Sequence, residues 1–404
     1  MAVVSAFHGV RYDPARVGGD LRRVIAPPYD VISKAQQAEL YERSPYNVIR
    51  LILAREAEPA NVAAACLEEW MESGVLAKDA TPALYLYEQT FTLPDGSVHR
   101  RTGVLGRLKL EPFSTGVVRP HEKTLSGPKA EQLALMRATG AQLSPIFGLY
   151  AKPGQPIRDV IGAPAAAPPT VDVTVEGGER HRLWVVTDPA AIARVAVLLA
   201  PETIVIADGH HRYETALKYG AEQGGRVATV LAYLGNIAEE GIVILPTHRL
   251  VCGALALGGA ALEAKLRESF AVEPLPATPR PHGAVDVVLP DRRLRLRPLA
   301  AATARLSGLS PAIAGLDVAL LHRALLEPLL GLRPTDLAFT HDDGEAIAEV
   351  AAGRASAAFL LNPPSLEEVR AVCMAGELMP EKSTYFYPKL ASGLVFDLVG
   401  PPWI

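Results

Sequence analysis

The stretch TIVIADGHHRYETALKYG, residues 203–220, contains the change of pattern on which the fold prediction rests. Its first four residues, 203–206, are apolar and β-branched, which is typical of a buried strand. Farther along, Ala216 and Tyr219 recur at helical spacing, which predicts a helix that begins near His211. The polar residues between the two patterns therefore lie at a strand-to-helix corner.

This corner, residues 208–212, reads Asp-Gly-His-His-Arg and is called the Asp208 corner below. A helix N-terminus presents backbone N–H groups and the positive end of the helix dipole. Gly209 lets a ligand approach the backbone closely, and His210, His211 and Arg212 add donors, so the pattern predicts a phosphate or carboxylate site. Asp208 is a candidate to hold Mg²⁺, to orient a histidine or to act as a base. The alternative is that Asp208 caps the helix and the histidines lie on the surface.

Strand and helix patterns alternate on both sides of the corner, which predicts an α/β fold with α+β character and mixed sheets. Hairpins are predicted at residues 94–96 (Pro-Asp-Gly) and at the Gly177-Gly178 pair. The Ala- and Pro-rich residues 161–170 predict a loop or linker. We therefore expect two regions, residues 1–160 with the RPHEKT loop and residues 170–404 with the Asp208 corner and a C-terminal α/β extension.

The composition favours a folded protein of the cytoplasm. Hydrophobic residues make up 49% and charged residues 21%, and the net charge of -4 makes nucleic acid an unlikely partner. No basic segment followed by an apolar run opens the chain, and its most apolar window is broken by charges and a proline, so we expect no membrane association. The three cysteines form no CxxC pair, so each is expected to be a small buried residue. The composition is also compatible with a homo-oligomer.

A second concentration of charge is RPHEKTLSGPK, residues 119–129. Cations at Arg119, Lys123 and Lys129 are suited to hold phosphate, and Glu122 or His121 is suited to act as a general base. The alternative is an exposed charged loop before a helix.

Further candidates for contacts to a substrate or base are scattered along the chain. The segment 379–393, MPEKSTYFYPKLASG, combines rings that could stack on a base with cations that could touch phosphates. Alternatively, its tyrosines close the core and its lysines are solvated. The full set is Asp30, Asn47, Arg50, His248, Lys382, Ser383, Thr384, Tyr387 and Lys389.

The stretch ADGHHRYETA resembles the signature of the ParB/sulfiredoxin-like superfamily, and the chain resembles the family of the domain of unknown function numbered one thousand and fifteen. The stretches that also carry this resemblance are APPYDVIS, SPYNVIRL, RPHEKTLSGPKAEQLALMRAT, LSPIFGLY, ILPTHRL and MPEKSTYFYPKLASGLV. The resemblance implies a ParB/sulfiredoxin-like core with additional N- and C-terminal mixed α/β regions. It also implies that the Asp208 corner cradles nucleotide phosphates. The corner lacks the sulfiredoxin cysteine, so sulfinic-acid reduction is not expected, and no helix-turn-helix is evident.

Together these observations favour a phosphotransferase that acts on a small hydroxylated substrate with ATP or ADP and Mg²⁺, and the resemblance suggests a free serine kinase or a phosphoserine phosphatase. Two alternatives stay open, a non-catalytic nucleotide-dependent switch and a metal-dependent hydrolase. The expected catalytic residues are Asp208, His210, His121 and Glu122. The expected phosphate-binding residues are Gly209, His211, Arg212, Arg119, Lys123 and Lys129.

Overall fold

The computed structural model describes residues 1–122, 126–154 and 157–403, and for residues 126–128 it describes the backbone alone. The chain forms two compact units. The first unit consists of residues 1–120, 124–243 and 388–404, and the second of residues 121–123 and 244–387. The sequence instead predicts a boundary between residues 160 and 170, and that boundary stays a prediction.

The strands and helices of the described residues are numbered in chain order. The strands are β1 (Val4–Ser5), β2 (Val10–Tyr12), β3 (Leu76–Lys78), β4 (Leu84–Thr92), β5 (Val98–Lys109), β6 (Val118–Arg119), β7 (Ala141–Gln142), β8 (Ile146–Tyr150), β9 (Val171–Thr174), β10 (Arg180–Val186), β11 (Ile204–Asp208), β12 (Thr229–Asn236), β13 (Val243–Leu245), β14 (His248–Val251), β15 (Phe270–Pro274), β16 (Val285–Val288), β17 (Arg293–Pro298), β18 (Leu337–Thr340), β19 (Ala358–Leu360), β20 (Tyr385–Tyr387) and β21 (Asp397–Leu398). The α-helices are α1 (Lys34–Arg43), α2 (Ile49–Ile52), α3 (Pro59–Glu72), α4 (Ser126–Thr139), α5 (Ile157–Ile161), α6 (Pro189–Leu199), α7 (His210–Glu222), α8 (Gly259–Arg267), α9 (Ala300–Ala304), α10 (Pro311–Ala314), α11 (Asp317–Leu320), α12 (Glu327–Leu330), α13 (Asp343–Ala351) and α14 (Leu366–Met374).

The first unit is built on a large mixed sheet with the strand order β6-β11-β8-β12-β5-β4-β10-β9, and β1 pairs with β5. Strand β11 runs parallel to β6 and antiparallel to β8, whereas β8 and β12 are parallel. The short strand β21 pairs with β7, which anchors the last segment of the chain in this unit. The fold is therefore a mixed α/β fold with mixed sheets, as the sequence predicts.

Helices α4, α5, α6 and α7 supply apolar side chains to the core on one face of this sheet. The helix α6 illustrates the pattern, because Ala191, Val195 and Leu198 recur at helical spacing and are buried, while Val197 on the other side is exposed. The burial of this stripe, at about 25 cal/mol per Å² of apolar surface, is what holds so short a helix in place.

The second unit contains a six-stranded antiparallel sheet in the order β15-β17-β16-β19-β14-β18. Its core includes Leu250, Val288 and Val350. Helix α11 continues through a π-helical segment, Leu321–Leu326, into α12. Strands β13 and β20 form a separate ribbon.

The local predictions agree with these elements in several places. Both predicted hairpins form, at residues 94–96 between β4 and β5 and at Gly177-Gly178 between β9 and β10. Residues 161–170, predicted to be a loop or linker, lie within the first unit and include a short 3₁₀ helix, Ala163–Ala166. Cys252 is exposed and Cys66 is half-buried, so the expectation that each cysteine is buried is confirmed only for Cys373. No described helix is both long and apolar enough to cross a membrane.

Candidate functional site

The Asp208 corner joins β11 directly to α7. Gly209 adopts a φ of 86°, in the left-handed region that favours glycine. A Cβ at Gly209 would also come within 3.0 Å of the Arg212 guanidinium carbon. The glycine therefore permits both the reversal of the chain and the return of Arg212 toward Asp208, one helical turn away.

Asp208 is held between two cations. Its Oδ2 accepts a hydrogen bond from Arg212 at 2.5 Å, and its Oδ1 accepts one from Lys389. The three side chains are only 15%, 11% and 11% exposed, respectively. Burial by itself raises the pKa of Asp208, but the charges of Lys389 and Arg212 outweigh it and hold the pKa well below its usual range. The carboxylate therefore stays ionised and binds a proton weakly.

The backbone that carries Lys389 is fixed by two buried polar residues of the sheet. Gln89 Nε2 donates to the Lys389 carbonyl at 3.0 Å, and Arg101 donates both to Gln89 Oε1, at 2.9 Å, and to the Pro388 carbonyl. The Arg101 guanidinium stacks over Phe147, the register partner of Asp208 in the sheet. Sequence analysis missed Gln89 and Arg101. For Gln89 the available signal was its spacing, because it shares every second position of β4 with Tyr85, Tyr87 and Phe91. Arg101 lies among polar residues of β5, and its sequence neighbours carry no such signal.

The electrostatic environment of the Asp208 corner is positive. Arg212 and Lys389 supply two cations to one carboxylate, and the N-terminus of α7 adds a positive dipole end. His210 and His211 occupy the first turn of α7 and are half-buried. Such an arrangement suits an anion that can compete with Asp208 for the cations.

A narrow cavity of about 30 Å³ adjoins Arg212. It is lined by Tyr29, Ile52, Gln132, Leu135, Met136, Ala141, Gln142, Leu143, Ser144, Arg212 and Val230. Burial raises the pKa of Tyr29 to about 12, with Arg212 opposing the shift. A cavity of this volume admits a water-sized group, so a larger ligand would contact the corner from its outer side.

Three other predicted residues of the first unit have defined places. The Asn47 amide is fully buried, donates to the carbonyls of Arg23 and Ile25, and therefore ties together backbone segments. Arg50 packs over the Tyr41 ring at 4.3 Å. Asp30 is exposed.

The cations predicted beside the RPHEKT loop lie at different points. Lys129 pairs with Glu214 of α7, and Arg119 lies on β6, where its Nε donates to the Gly116 carbonyl at 3.3 Å. Lys123 lies outside the described residues. Arg119 shares its register with Val205 of β11, so the sheet places it beside the strand that leads to Asp208.

The second unit brings together another predicted group. His121 is fully buried, and its Nε2 lies 2.6 Å from Thr384 Oγ1 and 3.7 Å from Glu122 Oε2. The Lys382 N–H donates to Glu122 Oε1 at 2.6 Å. Lys382 itself has a φ of 57°, the left-handed region. Residues 121–122 and 379–384 thus meet in this unit.

The remaining candidates of the second unit make structural contacts. His248 Nδ1 accepts from the Leu361 N–H at 3.2 Å, and its Nε2 lies 2.6 Å from Asp343 Oδ1. Ser383 Oγ donates to the Pro380 carbonyl at 2.5 Å. The ring of Tyr387 lies 6.4 Å from that of Tyr385.

The residues around Asp208 do not fit a divalent cation. Both of its oxygens are already paired with cations, and within the described residues no group of three or more His, Cys, Asp or Glu side chains is arranged to hold a metal ion. Asp208 as a Mg²⁺ ligand is therefore not supported by its contacts.

The fold and the site define a mixed α/β protein of two units with a cation-rich strand-to-helix corner. Residues 4–319 match the model of the family described as "Protein of unknown function (DUF1015)", and the chain belongs to that family. Placement in the ParB/sulfiredoxin-like superfamily stays a prediction.

The fold is also similar to several solved structures at low identity. A free serine kinase in complex with AMP is 16% identical with a TM-score of 0.38, over 73% of this chain and 92% of that one. A conserved hypothetical protein from Pyrococcus furiosus is 14% identical with a TM-score of 0.37, over 73% and 95% of the two chains. SbnI with a C-terminal truncation, from Staphylococcus aureus, is 12% identical with a TM-score of 0.38, over 73% and 87%. No curated protein matches the sequence.

Proposed function

We propose that the protein binds the phosphate group of a nucleotide or of a phosphorylated small molecule at the Asp208 corner, and that it is a phosphotransferase acting on a small hydroxylated substrate. The observation that carries this proposal is the pairing of two cations, Lys389 and Arg212, with one carboxylate at the N-terminus of α7. Two buried cations exceed the charge of one carboxylate, so the corner retains a positive charge that a phosphate can neutralise.

Asp208 has an orienting role in this proposal. Its low pKa makes it a weak base at neutral pH, whereas its two oxygens fix the directions of Lys389 and Arg212. A guanidinium carries five N–H donors, and the contacts of Arg212 to Asp208 and to the Pro145 carbonyl use two of them. A phosphate oxygen would be received by donors whose positions are set in advance.

The finer assignment rests on the motif. Gly209, His211 and Arg212 match the Gly-x-(His/Arg)-Arg pattern of the ParB/sulfiredoxin-like superfamily, which supports ATP or ADP as the nucleotide and free serine or phosphoserine as the substrate. The roles of His121 and Glu122 as general bases stay predictions. Asp208 is not proposed as a Mg²⁺ ligand, because Arg212 and Lys389 pair with its two carboxylate oxygens.

Binding is tested by titrating the protein with ATP, ADP and phosphoserine in a calorimeter. We expect Arg212→Gln and His211→Ala to lower the affinity at least tenfold while the far-UV circular dichroism stays that of the wild type. Lys218→Ala is the matched control, because Lys218 lies on the exposed side of the same helix. Unchanged affinity in Arg212→Gln would refute the site.

Catalysis is tested separately by incubating the protein with serine and ATP or ADP in buffer containing Mg²⁺ and measuring phosphoserine and released phosphate. Formation of product that is lost in Arg212→Gln supports the phosphotransferase. Binding without product would favour the nucleotide-dependent switch. One observation suits that alternative, since a phosphate that recruits Lys389 must compete with Asp208 and thereby alters the contact of the C-terminal segment.

A further inference from the structure

A second charged cluster lies at the other end of the strands of the large sheet. Strand β8 runs antiparallel to β11, so its last residue, Tyr150, lies at the end of the sheet away from Asp208. Strand β12 ends beside Tyr150, at Asn236. The cluster, called the Glu88 cluster below, consists of Glu88, Arg100, Arg158, Arg182 and Glu239.

Three arginines surround the one buried carboxylate of this cluster. Glu88 is 1% exposed; it pairs with Arg182, with Arg158 at 3.2 Å, and with Arg100 at 3.9 Å. The Arg158 and Arg182 guanidiniums lie 4.8 and 5.6 Å from the centre of the Trp184 ring, which limits their movement.

Thr102 joins the second carboxyl group to the first. Its N–H donates to Glu239 Oε2 at 3.3 Å, and its hydroxyl donates to Glu88 Oε2 at 3.4 Å. Tyr150 is held close to the same point, because its carbonyl accepts from the N–H of Ile237, two residues before Glu239.

Three buried polar atoms of this neighbourhood have no hydrogen-bond partner among the described residues. They are Tyr150 Oη, Arg182 Nε and Glu239 Oε1. Each buried polar atom without a partner lowers the free energy of unfolding by about 1–3 kcal/mol, so three around one cluster indicate that a bound ligand supplies their hydrogen bonds. Arg182 Nε and Tyr150 Oη are donors, and Glu239 is a donor when protonated, so the missing partner is an acceptor.

The charge of the neighbourhood also favours an acceptor that is negative. Burial, opposed by the Thr102 N–H and by Arg100 and assisted by Asp159 and Glu88, raises the pKa of Glu239 to about 7. While Glu239 is protonated, the three guanidiniums that pair with Glu88 outnumber the two carboxylates of the neighbourhood, Glu88 and Asp159, and one positive charge remains. The Arg100 side chain is 62% exposed, so solvent reaches the cluster.

We propose that the Glu88 cluster is a second anion site, separate from the Asp208 corner, which binds a small oxyanion through Arg182, Arg158 and Tyr150. The class of ligand is one carboxylate, sulfate or phosphate group. The proposal is independent of the function proposed for the Asp208 corner.

The test is a calorimetric titration with sulfate, whose charge is constant between pH 6 and 8, and with acetate as the carboxylate arm. In Arg212→Gln, one sulfate or acetate is expected to bind per chain. Arg100 does not contact the anion in this proposal but supplies the excess positive charge beside Glu88, so adding Arg100→Gln is expected to weaken that binding about tenfold. Adding Arg180→Gln instead is the control, because Arg180 lies on the same strand as Arg182 but pairs with Asp172 at the surface.

The pH dependence gives a second measurement that does not depend on removing an arginine. The affinity is expected to fall several-fold from pH 6 to pH 8 as Glu239 ionises, and Glu239→Gln is expected to remove that fall. If Arg212→Gln binds neither anion, or if Arg100→Gln and Arg180→Gln bind equally well, the site does not exist. Loss of all binding in Arg212→Gln would overturn this proposal while supporting the one for the Asp208 corner.

Discussion

Lys389 and Asp208, 181 positions apart in the sequence, form an ion pair that is nearly closed to solvent. The pair brings the C-terminal segment of the first unit to the end of β11. Because Arg212 occupies the other oxygen of Asp208, the carboxylate aligns two cations at one helix N-terminus.

Replacing Lys389 with methionine removes one cation and keeps most of the apolar stem. We expect the affinity for phosphorylated ligands to fall at least tenfold, because a charge-assisted hydrogen bond contributes about 1.5–3 kcal/mol. Isothermal titration with phosphoserine measures the change, and Lys218→Met on the exposed side of α7 is the control. Equal affinity in the two variants would show that Lys389 serves only the structure.

Gly209→Ala tests the close packing of the corner. The left-handed φ costs an alanine about 1 kcal/mol, and its Cβ would press on the Arg212 guanidinium at 3.0 Å. We expect a loss of stability of about 1–2 kcal/mol together with weaker phosphate binding. Gly178→Ala is a matched control, because its φ is 84° and no atom lies within 4 Å of the added Cβ. Urea unfolding and ligand titration of both variants separate backbone strain from displacement of Arg212.

Lys382→Gly and Lys382→Ala separate backbone conformation from side-chain charge in the second unit. Because Lys382 has a φ of 57°, glycine is expected to stabilise the protein by about 0.5–1 kcal/mol, whereas alanine is expected to be neutral. If the lysine charge also contacts a phosphate, both variants lose affinity by the same factor. Thermal unfolding and titration are the measurements, and a glycine variant less stable than the alanine variant would contradict the argument.

The burial of His181 is expected to make the stability of the protein depend on pH. Burial lowers its pKa in the folded protein to about 4, with the charge of Arg101 adding to the shift, while the unfolded residue titrates near 6.5. The unfolded state therefore binds protons first as the pH falls, and stability is lost between pH 6.5 and 4. We expect His181→Gln to reduce the loss of unfolding free energy between pH 7 and pH 5 by about 2 kcal/mol.

His181→Gln is expected to remove only part of the pH dependence of stability. His322 in the second unit also has a pKa lowered to about 4, chiefly by burial, so its contribution remains in the His181 variant. An unchanged slope between pH 7 and pH 5 in His181→Gln would mean that His181 does not stay neutral in the folded protein.

Much of the local structure could be predicted from the sequence. The strand-to-helix change at residues 203–220 and the turn pairs at residues 94–96 and Gly177-Gly178 depend on patterns a few residues long, and the structure contains each of them. The helix begins at His210, one residue earlier than predicted, because Gly209 is its N-cap.

Long-range partners could not be predicted in the same way. Nothing in the residues around Lys389 specifies Asp208 as its partner, because the pairing depends on how β21 and the buried Gln89 and Arg101 fix the returning segment. Asn47 illustrates the opposite difficulty. A polar residue within an apolar run is expected equally of a binding site and of a buried amide that ties loops together, and the contacts of Asn47 to two backbone carbonyls are of the second kind.

The discontinuous course of the first unit also sets an order of events during synthesis. The ribosome makes Asp208, Gly209 and Arg212 before residues 244–387, and only afterwards Lys389 and β21. Until then Asp208 has one of its two cations, and β7 lacks the strand that pairs with it. A nascent chain that has emerged only as far as the second unit therefore has an incomplete anion site, and the proposed binding activity requires that residues 388–398 have also been made.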